Sequence, residues 1–360
     1  MPDRRSPLDG QHRALGARMV PFGGWDMPIQ YEGVLEEHRR CRSDAVVFDV
    51  SHLGSVVVRG DDAFDALQGL FTNDLRRVAP GRAQYTHLLD PDDAHVVDDI
   101  IVWWLDDEDF LVIPNASNTG PALDAMRGAV GAGGEVRDVT GERTLLAVQG
   151  PNARTVLGSV VPEAASVSRF HVASTEFGGH QIVVGGTGYT GEDGVELHVP
   201  NEAAADVWDA LLAAGATPAG LGARDTLRLE MGYPLHGHEL GPGITPLQAG
   251  LGWVVGWEKG DFRGRAALEA ERERGVERLL TGVIAEGRQI PRQGCTVMVD
   301  GKPVGEVTSG NFSPTLERGI GLALLPPDLD PATPAEIDVR GRTVSATVSD
   351  LPFVHRVRET

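Results

Sequence analysis

Apolar residues along the chain recur with two spacings, and these divide it into recognisable stretches. Residues 18 to 50 open on the turn-rich aromatic segment Phe22-Gly23-Gly24-Trp25-Asp26-Met27-Pro28 and continue into a predicted helix from Val34 to Arg42. From Ser55 to about Val136, short strands (Val56 to Val58, Val96 to Leu105, Phe110 to Ile113) alternate with helical stretches (Ala63 to Leu70, Pro121 to Val130), the pattern of a compact α+β unit. Leu145 to Gln149 is a buried strand stopped by Gly150-Pro151, with a helix following from Asn152 to Leu157. Asn201 is the expected cap of a helix whose inner face carries Ala204, Val207, Trp208, Leu211 and Leu212, and Gly215 ends it. In a third helix, Ala223 to Met231, apolar positions fall four apart while Arg224 and Arg228 share another face. From Thr245 onward the pattern changes to short strands with glycine-containing turns, as in Val297 to Gly305, which predicts a barrel or sandwich.

The most informative run is Gly188-Tyr189-Thr190-Gly191-Glu192-Asp193-Gly194-Val195-Glu196. Glycines at 188, 191 and 194 permit backbone angles closed to other residues, and a turn that needs them so densely gives up chain entropy for a defined shape. Beyond it Val195, Leu197 and Val199 alternate with Glu196 and His198, predicting a half-buried strand with Glu196 on the less apolar face. The turn is read either as a site presenting a carboxylate or as an ordinary hairpin with a solvated Glu.

A length of 360 residues allows two or three domains, and 41% apolar content suits a globular core. With 32 Lys plus Arg against 52 Asp plus Glu, the net charge of -20 disfavours nucleic acids and anionic membranes as partners. Lys259 and Lys302 are the only lysines. An acidic, lysine-poor surface fits a halophile-like protein working in concentrated salt, and compositional drift in a GC-rich genome is the rival explanation. Cys41 and Cys295 match no metal spacing and read as reduced thiols. Met1 to Leu15 is charged and lacks an apolar stretch of signal-peptide length, and no later run approaches a membrane span, so the expected location is cytoplasmic.

A second feature is Asp98-Asp99 within Val96 to Trp103. Alternation along a strand sends the two carboxylates to opposite faces, so they are not a pair sharing one proton, and whichever face is buried contains a carboxylate. Burying it without partners costs several kcal/mol. Either an Asp is bonded to backbone amides or an Arg, or one is aimed at a substrate nitrogen. His52, in Asp49-Val50-Ser51-His52, lacks the Gly-x-Ser-x-Gly elbow of a hydrolase. His236 and His238 stand two apart in a glycine-rich segment and read as turn or pocket-wall residues, and no metal site is expected. Neither a phosphate-binding loop nor a dinucleotide fingerprint is present.

Taken in order, several motifs resemble the aminomethyltransferase (T-protein) family of the glycine cleavage system, within the folate-binding superfamily. They are Gly188 to Glu196, Gly220-Leu221-Gly222-Ala223-Arg224-Asp225 through Glu230, Phe22 to Pro28, Phe48 to His52, Val97-Asp98-Asp99, Ala147 to Pro151, and Thr308-Ser309-Gly310-Asn311-Phe312-Ser313-Pro314-Thr315. The resemblance spans the whole chain. It implies an α+β protein folded as a three-domain cloverleaf around a central folate cavity. Residues 1-52 plus 139-244 form a discontinuous folate-binding domain, 53-138 an inserted ferredoxin-like α+β domain, and 245-360 a C-terminal β-barrel domain. It further implies tetrahydrofolate as co-substrate, no metal, and a lipoylated H-protein, with other glycine cleavage components, as partner. The reaction would transfer the methylene carbon of the aminomethyl-lipoyl arm to tetrahydrofolate with release of ammonia.

By the same resemblance, Asp99 is the catalytic aspartate, near folate N10, and Glu196 accepts two adjacent pterin N-H groups. Arg224 is a ligand-contacting arginine, Tyr85, Tyr189 and Tyr233 surround the pterin and benzoyl rings, and Asn115 lines the cavity. Arg292 and Arg356 are candidates near the cavity or the folate glutamate tail, where an acidic protein needs local guanidinium groups.

Some positions depart from the family pattern. Asp92-Asp93-Ala94-His95 occupies a turn that usually carries a Gly pair, Leu53 replaces a customary Met, and His236 stands where Tyr is common. The turn change leaves Asp99 itself intact, while Leu53 and His236 bear on carrier or substrate identity more than on folate binding. Two alternatives use the same pocket: a tetrahydrofolate-dependent demethylase acting on a small N-, S- or O-methyl compound, and a non-enzymatic assembly factor. The latter branch resembles Lys-Gly-Cys-Tyr-x-Gly-Gln-Glu, and its Cys, Gln and Glu are missing from Lys259 to Ala266.

Overall fold

A computed structural model describes residues 3–339 and 341–355. Arg356 and the first two residues of the N-terminal stretch lie outside the described residues. The chain divides into two compact units, one comprising Met1–Leu88, Asp98–Arg224 and Gly256–Arg263, the other Leu89–Val97, Asp225–Val255 and Gly264–Thr360.

The first unit is built on three sheets. The segment Phe22 to Pro28 closes a hairpin between Arg18–Phe22 and Trp25–Gln30, extended by Arg4–Arg5. A six-stranded sheet runs in the order Val172–Phe177, His180–Gly185, Gly194–Pro200, Arg143–Gln149, Val46–Asp49, Thr217–Pro218. A five-stranded sheet has the order Arg82–Leu89, Val96–Asp106, Asp109–Ile113, Val56–Arg59, Glu135–Asp138.

The apolar alternation in Gly194–Pro200 explains one face of the six-stranded sheet. Val195, Leu197 and Val199 join Val47, Leu146 and Val148 in a core with Val156 and Leu157 of helix Ala153–Val160 and Val207, Trp208 and Leu211 of helix Asn201–Ala213. The opposite face is covered as well, because the Trp103 indole of the five-stranded sheet lies against Gly185, the register partner of Glu196. The strand is therefore buried along its whole length, and the expected half-buried strand with an exposed Glu196 face is corrected. Glu196 is 6% exposed and His198 4%.

Asn201 does not cap its helix. Pro200 holds the cap position, while Asn201 accepts from Thr144 Oγ1 at 2.9 Å and donates to Gly141 O at 2.9 Å, tying the helix start to strand Arg143–Gln149 and the turn before it.

In the second unit, strands Leu279–Ala285, Arg318–Leu325, Lys302–Ser313, Thr296–Val299, Pro334–Val339 and Arg342–Ser349 close into a barrel. Val283, Val297, Val307, Ala323, Leu325, Ile337 and Val348 fill its interior. The barrel predicted from Thr245 onward begins at Leu279. Before it lies helix Arg265–Arg274, rich in Ala, Glu and Arg, which favour helix. That helix turns Leu268 and Glu271 inward, and Glu271 accepts from Thr245 Oγ1 at 2.5 Å and Gln248 Nε2 at 2.8 Å. Among the described residues no helix is long and apolar enough to cross a membrane.

Asp49 latches the N-terminal helix Asp9–Ala14 to the six-stranded sheet. Its carboxylate accepts from Ser51 N at 2.9 Å, Ser51 Oγ at 2.5 Å, Ser6 Oγ and His12 Nε2 at 2.8 Å, and Tyr31 Oη lies 2.9 Å from the other nitrogen of His12. Burial alone would raise Asp49, but His12 and the two serines outweigh it and hold the group below the usual carboxylate range. Such a group stabilises the fold above the unfolded value near pH 4, and that contribution fades as pH falls through the lower folded value. Asp49→Asn should therefore cost about 3 kcal/mol at neutral pH, and the deficit should shrink on acidification below about pH 4. Denaturant titrations followed by tryptophan fluorescence, with Trp208 5.2 Å from the His12 ring, measure both effects.

Candidate functional site

The expectation of special backbone angles holds for two of the three glycines of the turn and is corrected at Gly188. Gly191 and Gly194 have φ of 81° and 152°, whereas Gly188 has ordinary φ and is required by packing: a Cβ there would stand 2.1 Å from Gln149 Oε1. Gln149 is the buttress of the turn. Its Nε2 donates to Thr187 O at 3.2 Å and its Oε1 accepts from Thr190 Oγ1 at 2.8 Å. Outside, Arg42 Nη1 donates to Thr190 O at 2.7 Å and pairs with the half-buried Glu192 at 2.8 Å.

This frame fixes Glu196, whose Oε2 accepts from Thr187 Oγ1 at 2.5 Å. Arg224, in the first turn of helix Leu221–Glu230, lies with its guanidinium 4.8 Å from the centre of the Tyr189 ring. Burial lowers Arg224 below its usual value, with Glu196 and then Tyr189 opposing the shift. Arg224 Nη1 is buried with no hydrogen-bond partner among the described residues. A charge-bearing donor left open in this way can still receive an acceptor. His52 is 4% exposed and is pushed down to about 3 by burial and then by Arg224, so it is neutral at physiological pH. Its ring meets the edge of Phe22 at 5.2 Å.

The two aspartates follow the strand alternation, with Asp98 fully buried and Asp99 half-buried. Asp98 accepts from Asn115 N at 3.0 Å, Asn115 Nδ2 at 2.8 Å and Asn118 Nδ2 at 2.7 Å. The Asn115 amide also reaches Asp99, at 2.8 Å from Oδ1. Opposite faces thus remain bridged by one side chain from the loop after Ile113. Asp98 is pushed up to about 8 by burial first and the charge of Asp99 second, with the Asn118 and Asn115 donors pulling it partly back. Asp99 Oδ2 accepts from Tyr85 Oη at 3.1 Å. Tyr85 is raised well above its ordinary value by burial, then by Asp99, then by Tyr189. Tyr189 thus acts electrostatically on Tyr85 as well as on Arg224.

Tyr233 lies in the second unit, in the loop after helix Leu221–Glu230, where its carbonyl accepts from Arg228 Nη1 at 3.1 Å. Arg228, grouped with Arg224 on the helix, is fully buried and also bonds Glu239, Asp225 and Ser309. Glu230 accepts from Ser313 Oγ at 2.6 Å and Thr315 Oγ1 at 3.0 Å, and Asn311 donates to Asp225 at 3.1 Å. The Thr308 to Thr315 motif therefore clasps this helix. Arg292 is exposed beside a cavity of about 350 Å³ that also touches Cys295 and Asp338. The unusual turn at Asp92 to His95 brings Asp90, Asp93 and His95 within 4.8 Å of one another, with His95 Nδ1 2.6 Å from Asp93 Oδ1.

Sequence reasoning missed Gln149, Thr187, Asn118 and His87. Thr187 directly precedes the turn and Gln149 directly precedes Gly150-Pro151, which were the available signals. Asn118 and His87 carried none.

Comparison with known proteins identifies the family. Residues 8–259 match the family described as GCVT N-terminal domain, and residues 278–355 the glycine cleavage T-protein C-terminal barrel domain. The chain is 48% identical over 355 residues to an aminomethyltransferase of Mycolicibacterium paratuberculosis, covering 97% of this chain and 96% of that one. To an aminomethyltransferase of Frankia alni it is 49% identical over 359 residues, 98% of each. The crystal structure of glycine cleavage system aminomethyltransferase T from Bartonella henselae superposes with a TM-score of 0.89 at 32% identity, covering 98% of both chains.

An acid whose folded value is raised stabilises the protein most below its unfolded value near pH 4, and that stabilisation is lost as pH climbs through about 8. Asp98→Asn lacks this dependence. Its deficit in melting temperature relative to wild type should narrow between about pH 4 and about pH 8. A constant deficit across that range would mean that Asp98 is ionised in the folded protein.

Proposed function

The chain belongs to the glycine cleavage T-protein family, and from that premise we propose how its residues carry out aminomethyl transfer. The activity is that of an aminomethyltransferase of the glycine cleavage system. The observation that supports the assignment of roles is the half-buried set of groups Asp99, Tyr85, Tyr189 and Arg224 beside the buried Glu196, in which Tyr85 donates to Asp99, Arg224 lies over Tyr189, and Arg224 Nη1 is left open.

Tetrahydrofolate fits these groups. Glu196 keeps lone pairs on both oxygens after accepting from Thr187, and takes two adjacent N-H donors of the pterin in one plane. The open Arg224 Nη1 takes an acceptor on the same ring, and Tyr189, fixed beneath Arg224, offers an aromatic face. Asn115 lines the cavity and holds both aspartates. Tyr85 and Tyr233 are assigned to the ligand rings, and Arg292 and Arg356 to the glutamate tail.

Asp99 is the catalytic residue, set near N10 to accept its proton and raise its nucleophilicity. Transfer of the methylene carbon from the aminomethyl-lipoyl arm breaks its bonds to nitrogen and sulfur. The two N-H protons lost by tetrahydrofolate balance those gained by ammonia and by the released thiol. The chemistry so drawn uses no metal ion. The carrier is a lipoylated H-protein, and the remaining glycine cleavage components are the wider partners.

We further assign 1-52 plus 139-244, 53-138 and 245-360 as three domains. The six-stranded sheet, the five-stranded sheet and the barrel, which fall one in each, support that division. The location is cytoplasmic, in a salt-rich interior suited to the charge of -20.

With aminomethylated H-protein as donor, Asp99→Asn should lower tetrahydrofolate-dependent ammonia release by about 10²- to 10⁴-fold with little change in tetrahydrofolate affinity. Glu196→Gln should instead weaken tetrahydrofolate binding by about tenfold to a hundredfold. Equal ammonia release by wild type and Asp99→Asn would overturn the assignment. Activity and melting temperature should both rise with added KCl, and an optimum at low salt would remove the high-salt reading.

A further inference from the structure

His87 is a buried imidazole packed against Tyr85, the tyrosine that donates to the carboxylate assigned to proton transfer, and nothing above gives it a role. It stands two residues after Tyr85 on strand Arg82–Leu89, so the two side chains share a face. The rings meet edge to face, centroids 5.2 Å apart and planes at 84°, and His87 Nε2 lies 3.1 Å from Tyr85 Oη. The same hydroxyl donates to Asp99 Oδ2 at 3.1 Å. His87 is 0% exposed, and its backbone is pinned on both sides by Thr72, which donates through N to His87 O at 3.0 Å and accepts at Oγ1 from His87 N at 3.1 Å.

A tyrosine hydroxyl carries one proton, and here it is directed at Asp99. The contact from His87 must then be a donated N-H, which requires the Nε2-H tautomer. We propose that His87 is a positioning residue for the transfer reaction: from Nε2 it donates to the Tyr85 hydroxyl and thereby aims that hydroxyl's proton at Asp99. The inference rests on the reading of Asp99 as the proton-handling carboxylate. A donor that is itself accepting a hydrogen bond is polarised and donates more strongly, so an oriented row from His87 through Tyr85 strengthens the last bond, the one to Asp99. The row also restricts the hydroxyl to one rotation, leaving Asp99 Oδ1, held by Asn115, and Oδ2, held by Tyr85, in fixed directions before substrate arrives.

The experiment measures kcat and tetrahydrofolate KM for H-protein-dependent ammonia release. His87→Met, apolar and without a donor, should lower kcat by about fivefold to tenfold with KM unchanged. His87→Gln, which can offer an N-H to the same hydroxyl, should recover most of the loss. In a Tyr85→Phe background His87→Met should add nothing further, since the row is already cut. Wild-type kcat in His87→Met, a Gln variant no better than Met, or additive effects in the double variant would each overturn the inference. Asp99→Asn separates the two readings. If it stays active, the Asp99 assignment falls and takes His87 with it; if it is inactive while His87→Met is unimpaired, only His87 falls. Nitrogen-15 NMR of the wild-type protein gives an answer independent of variant folding: the proton is expected on Nε2, and a ring protonated on Nδ1 alone would refute the row.

Discussion

A carboxylate on a strand buried from both sides can take its hydrogen bonds only from groups that the fold supplies, and much of the first unit is arranged to meet that demand at Glu196. Helices cover one face of the six-stranded sheet and Trp103 the other, so solvent is kept from most of Glu196. Thr187 provides a donor, and Arg224 provides compensating charge without consuming its own Nη1. Both placements depend on the shape of the turn. That shape is set by Gln149, which reaches from a neighbouring strand into the space where Gly188 has no side chain. The glycines are therefore parts of the electrostatic arrangement as much as conformational devices.

The adjacent aspartates pose the opposite problem, two like charges that the strand cannot move apart. The protein makes them unequal. Asp98 is driven inward and surrounded by the amides of Asn115 and Asn118, and it is the member that keeps its proton, pushed up to about 8 by burial and then by the charge of Asp99. Asp99 stays half-exposed and meets a tyrosine hydroxyl. Asn115 couples the two, so a disturbance at the buried member is felt at the accessible one. Asp98 thus fixes the loop that carries Asn115, and Asp99 is the member left accessible.

Features carried by local spacing were legible in the chain itself: the turn at 188 to 194, the alternation that separates Asp98 from Asp99, the helical face of Asn201–Ala213, and the barrel character of the C-terminal strands. Glu196 was legible as a presented carboxylate but not as a buried one, because burial depends on the Trp103 that folds over Gly185 from a different sheet. Gln149 and Thr187 are 38 residues apart, and no period in the sequence joins them. The Thr308 to Thr315 run was recognisable as a motif, while its reason, the clasp on Asp225, Arg228 and Glu230, exists only once the barrel strand lies along the helix. Asp49-Val50-Ser51-His52 shows the same limit from the other side. Its first and third residues form a structural latch, and its histidine belongs beside Arg224.

Placing the two carboxylates Glu196 and Asp99 on different sheets has a mechanical consequence. Glu196 and Asp99 each sit within a regular strand, where backbone pairing restrains the side-chain origin far better than a loop would. The elements joining them are side chains: Tyr85 on one sheet, Tyr189 in the turn, Arg224 on the helix. A ligand bridging the two carboxylates would meet a preset separation and would have little freedom to drift, which is how positioning lowers a barrier without new chemical groups. Arg224 is the adjustable member of this set. It is already partly desolvated and stacked on Tyr189, so an incoming acceptor needs only to fill its open donor, and the cost of burying the guanidinium has been met during folding.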